Sequence, residues 1–90
     1  MMKRMLSLPA DFEDYAWEVE AKGVFWGASV RLGDRVVAVT FYDPVRLSQD
    51  IAEELEQCHF MGLHRVLVVP CVNEEQMRMA IDRAPIEFFA

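Results

Sequence analysis

Ninety residues, 53% of them hydrophobic, can build one dense core without metal or disulfide staples and leave apolar surface to spare. Fifteen acidic against nine basic residues give a formal charge of −6, which argues against nucleic acid and anionic lipid, because binders of those surfaces gather Lys and Arg on one face. Two cysteines are too few for a disulfide framework, and the longest apolar run, Val66 to Val72, is far short of the roughly 20 residues a membrane span needs.

Along the chain, Met1 to Asp11 reads as a loose leading segment. Its basic pair Lys3-Arg4 is followed by too few apolar residues before Ser7 and Pro9 to make a secretory signal, so a reduced cytoplasmic compartment is expected. From Tyr15 to Ala21, Tyr15, Trp17, Val19 and Ala21 alternate with Ala16, Glu18, Glu20 and Lys22, the period-2 pattern of a half-buried strand. With two-residue turns at Lys22-Gly23 and Gly33-Asp34, a three-stranded meander follows. Its cross-strand rows are Tyr15–Val30–Val37, Trp17–Ala28–Val39 and Val19–Trp26–Phe41, nine apolar side chains on one face.

The period then changes. Asp43-Pro44 supplies a cap and a first-turn proline, and Leu47, Ile51, Leu55 and Cys58 recur at helical spacing, so a first helix is expected over about Pro44 to Phe60. Arg65 to Val69 reads as a strand buried on both faces. Asn73 with Gln76 resembles a capping box that opens a second helix with the inner stripe Met77, Ala80, Ile81 and Ala84, which Pro85 ends. Ile86 to Phe89 has the length of one closing strand.

The sequence therefore predicts a single α+β domain over residues 1–90, a two-layer sandwich of order β-β-β-α-β-α-β. Its mixed sheet joins an antiparallel meander to parallel strands, with both helices on one face if the last three strands lie side by side. The other face is expected to be polar on the first two strands. On the third strand it carries Val36, Ala38, Thr40 and Tyr42, with Phe25 adjacent to Tyr42 and beside a notch at Gly27. An apolar patch of this kind calls for cover. The covers are Met5, Leu6, Leu8 and Phe12 of the leading segment, or a second copy in a back-to-back dimer.

Three constellations carry potential chemistry. Cys58, His59, His64 and Cys71 have zinc-ligand types, but His64 and Cys71 lie at opposite ends of a strand, about 20 Å apart at ~3.3 Å per residue, too far for one ion. Glu20-Ala21-Lys22, with Glu18, resembles the Glu-x-Lys of one class of metal-dependent nucleases. That resemblance covers the tripeptide and a coarse element order, without the aspartate on a neighbouring strand that would complete a Mg²⁺ shell. Asp43, Cys71 and Asn73 fall at the carboxyl ends of parallel strands, where open α/β sheets bind ligands and a helix N-terminus lowers a thiol pKa. Asp43 and Asn73 also serve as helix caps.

No convergent catalytic set emerges, and neither metal nor cofactor is expected. The leading expectation is a non-enzymatic interaction domain that self-associates through Phe25, Val36, Ala38, Thr40 and Tyr42. A basic protein is a further candidate partner for the acidic side of the first helix, Asp50, Glu53, Glu54 and Glu56. The alternatives are a small-molecule or thiol-dependent site at Asp43/Cys71/Asn73 and, behind it, a metal-dependent hydrolase using Glu18, Glu20 and Lys22.

Overall fold

The hairpin turning at Gly33-Asp34 anchors the fold, with Leu32 opposite Arg35, Val30 opposite Val37 and Ala28 opposite Val39, the register its alternation predicts. The computed structural model describes residues 3–90. They form β1 (Arg4–Ser7), α1 (Phe12–Lys22), β2 (Val24–Leu32), β3 (Arg35–Tyr42), α2 (Pro44–Cys58), β4 (Val66–Val68), α3 (Glu74–Arg83) and a closing 3-10 turn at Ile86–Phe89. The sheet order is β1-β2-β3-β4, with antiparallel β1-β2 and β2-β3 pairs and a parallel β3-β4 pair. The chain is an α+β fold with a mixed sheet, as its sequence predicts. The order of elements differs in the first quarter and at the end.

Tyr15 to Ala21 is helix, not strand, because the same residues satisfy a second period. Phe12, Tyr15, Ala16 and Val19 stand at i, i+3, i+4 and i+7, and these are the side chains that α1 turns inward. Glu13 and Asp14 in the first turn and Lys22 in the last suit the helix dipole, and Gly23 ends the helix in the left-handed region at φ 76°. Trp17, expected in the core, is 69% exposed. The vacant place beside β2 is taken by β1, where Leu6 lies opposite Val30 and Met5 opposite Arg31. The leading segment is thus partly built into the sheet edge. Residues 1 and 2 lie outside the described residues.

A bulge between Phe25 and Ala28 makes the second correction. One extra residue in β2 turns Phe25 into the core, opposite Phe41, and leaves Trp26 outside at 62% exposure. Phe25 packs edge-on against Phe12 at 5.1 Å between centroids. Its ring lies across Gly27, where a Cβ would come within 2.9 Å of Cζ, so the glycine admits the inward turn.

The buried face of the sheet presents Leu6, Ala28, Val30, Val37, Val39 and Phe41 to Phe12 and Val19 of α1, to Met77 and Ile81 of α3 and to Ala84 just after it. Arg4 ties β1 to the end of α3, its guanidinium donating to the carbonyls of Ile81, at 2.9 Å, and of Ala84 while lying 5.2 Å from the Phe89 ring centroid. Ile86 to Phe89 does not join the sheet as a fifth strand. Its 3-10 turn buries Phe89, and Arg35 and Arg65 donate to the carbonyls of Phe89 and Ala90 at 2.9 and 2.6 Å. Without a fifth strand there is no second crossover to bring both long helices to one face. Tyr42 follows Phe41 on β3 and so points to the opposite side, where its hydroxyl donates to Asp50 of α2 at 2.8 Å. Hence α2 reaches the outer face, while α1 and α3 pack the inner one.

Candidate functional site

Adjacent strands place two complete cross-strand rows on the outer face. Met5, Arg31 and Val36 form one, and Ser7, Ser29 and Ala38 the other. Along β3 the outward residues pass from open to covered, with Val36 and Ala38 exposed, Thr40 half-buried and Tyr42 buried. The cover at the Tyr42 end is the first half of α2, whose Leu47, Asp50 and Ile51 are half-buried. Beyond Ile51 every residue of α2 is exposed, and none of its side chains is buried. Between the rows lies a shallow groove of about 250 Å³ lined by Met5, Ser7, Ser29, Arg31 and Val36. Val36 is 63% and Met5 53% exposed, and Val68, Leu55, Phe60 and Leu63 are exposed elsewhere on the surface.

Of the predicted interface residues, Val36, Ala38 and Thr40 face outward, whereas Phe25 does not, because the bulge sends its ring into the core. Tyr42 lies on the outer side but is buried rather than open. Trp26 is the exposed aromatic next to it, in a 360 Å³ groove shared with Arg46, Asp50, Glu53 and Glu54. The signal for Trp26 was Gly27, whose missing side chain permits the bulge.

The Tyr42 end is electrostatically closed. Asp50 accepts from Tyr42 at 2.8 Å and from Arg46 Nε at 2.9 Å. Burial works to raise the Asp50 pKa, but these two donors outweigh it and hold the carboxyl below its ordinary value. The Tyr42 hydroxyl is raised, first by burial and then by its bond to Asp50.

The ligand-edge residues are occupied in the fold. Asp43 caps α2 by accepting from the Arg46 amide at 2.7 Å, and its carboxylate lies against Gly23. Asn73 caps α3 by accepting from the Gln76 amide at 2.9 Å and donates to Glu20 Oε2 at 2.9 Å. Cys71 is exposed, as is Cys58, which was expected in the buried stripe of α2. Glu18, Glu20 and Lys22 stand on α1, where residues two apart point roughly 200° away from each other, so the shared strand face that the nuclease-like tripeptide requires is absent. Among the described residues no three of His, Cys, Asp and Glu converge as a metal site, and no helix is long and apolar enough to cross a membrane. Comparison with known proteins gave no match to a family model, a curated protein or a solved structure.

Proposed function

We propose that this chain is a cytoplasmic, non-enzymatic protein-interaction domain that associates with itself through the outer face of its sheet. The observation that supports this reading is the open half of that face, where Val36 and Ala38 stand exposed side by side on β3 and Met5 is exposed on β1 across Arg31. Leaving such a patch in water costs about 25 cal/mol per Å², so a few hundred Å² is worth several kcal/mol on burial. Twofold self-association covers it with surface the chain already owns.

Light scattering across a concentration series tests the reading. A dimer at high micromolar concentration is expected, converted to a monomer of unchanged circular dichroism by Val36→Asp. A monomeric wild-type chain at that concentration, with Val36→Asp indistinguishable from it, rejects self-association.

A further inference from the structure

The uncovered part of the outer face has the width of a helix. Three strands spaced ~4.8 Å apart offer about 10 Å between β1 and β3, the diameter of one α-helix with its side chains. The same chain carries a helix short of a partner, since α2 repeats apolar residues at helical spacing and buries none of them. The charges are complementary as well. Arg31 rises from the middle of the groove between Met5 and Val36 and has no ion-pair partner among the described residues, where the two pairs are Arg46–Asp50 and Arg78–Glu74. The outer half of α2 carries Glu53, Glu54 and Glu56, also outside those pairs, and no cation.

Surface area points to the same occupant. The chain exposes 6131 Å², roughly 700 Å² more than a compact monomer of this size. Its radius of gyration is 13.6 Å, against about 12 Å for a compact 90-residue domain. One partner of a standard interface buries about 800 Å², an area that a chain with this much exposed surface can supply.

Resting on the self-association proposed above, we infer that the α2 helix of a second copy lies across the groove formed by Met5, Arg31 and Val36, and that the exchange is reciprocal about a twofold axis. Leu55 of each α2 seats on the partner's Met5 and Val36, and Glu54 and Glu56, which flank Leu55 on the helix, meet the partner's Arg31. Pairing of α2 with α2 instead would set Glu53, Glu54 and Glu56 against acidic residues of the same helix, which like-charge repulsion opposes.

Charge reversal tests this arrangement in the full chain by sedimentation equilibrium. Arg31→Glu alone, and Glu53→Lys/Glu54→Lys/Glu56→Lys alone, are each expected to weaken self-association at least tenfold. Mixing the two variants restores it, because each side of the mixed dimer then pairs opposite charges, and combining all four changes in one chain restores it too. Leu55→Glu weakens association without charge rescue. A wild-type chain that is monomeric defeats the self-association reading and this one with it. A dimer that Val36→Asp dissociates, but that the charge variants leave unchanged or that their mixture fails to rescue, overturns only the seating of α2.

Discussion

Helices α2 and α3 both follow a strand and both begin on a side-chain cap, from Asp43 and Asn73. Yet α3 buries Met77 and Ile81, whereas α2 buries nothing, although its apolar positions recur just as regularly. The difference lies in position: Met77 and Ile81 of α3 join the core on the inner face, whereas α2 lies on the outer face and is half-buried only over its first half. An amphipathic pattern thus reports that a helix has an apolar side, not that its own chain supplies the surface to cover it.

The sharpest way to break the comparison is to truncate one apolar residue in each helix. Met77→Ala should cost about 2–5 kcal/mol, because it opens a cavity where the side chain is fully enclosed. Leu55→Ala, 47% exposed, should stay within about 0.5 kcal/mol in dilute protein. Urea unfolding of both variants at low micromolar concentration checks the contrast. Equal losses would mean that α2 packs as α3 does.

A middle-sized effect is expected at the joint that starts α2. Gly23 holds φ 76°, and a Cβ there would strike the Asp43 carboxylate that caps α2. Gly23→Ala should therefore cost about 2–3 kcal/mol from backbone strain and the displaced cap together. Thermal unfolding reads this, and Gly33→Ala is the control. That glycine also has positive φ, at 62°, but has open space around it, so its loss should be the smaller.

The smallest effect concerns the contact of α2 with the sheet. Tyr42→Phe removes a hydrogen bond to a charged acceptor, worth about 1–2 kcal/mol. The Asp50 pKa lies below its usual 3.8, so its contribution is complete above that pH and is lost as the pH falls through the lowered value. The Tyr42 pKa lies above 10.0, so its contribution is complete below that pH and is lost as the pH rises through the raised value. Stability measured against pH should lose its alkaline decline at this site in Tyr42→Phe, and the acid decline should become shallower.

Much of this was legible in the residues. The β2-β3 register, both caps, the parallel β3-β4 pair and the outward Val36 and Ala38 follow from alternation and capping chemistry that tertiary packing did not contest. Tyr15 to Ala21 misled because its apolar residues fit period 2 and, once Phe12 and Ala16 are included, period 3.6. The helix over Phe12–Lys22 is kinked at Tyr15, where φ is −132°, and ends at the glycine stop Gly23, a signal that the strand reading took for a two-residue turn. Phe25 and Trp26 exchanged sides because a bulge shifts the period by one residue, and Gly27 was its only local mark. The open groove was half visible. Its β3 wall could be read from alternation, but its opposite wall comes from β1, a four-residue strand whose pairing with β2 no local pattern announces.

The Asp43 amide donates to the Gly23 carbonyl at 2.8 Å, and the Arg46 guanidinium reaches the Lys22 carbonyl at 3.3 Å, so the first turn of α2 is fastened to the last turn of α1. Those helices work on opposite sides of the pleated layer. A partner that grips α2 from without would thus also steady the hinge at Lys22-Gly23, and slowed amide exchange at Gly23 and Asp43 would register the event.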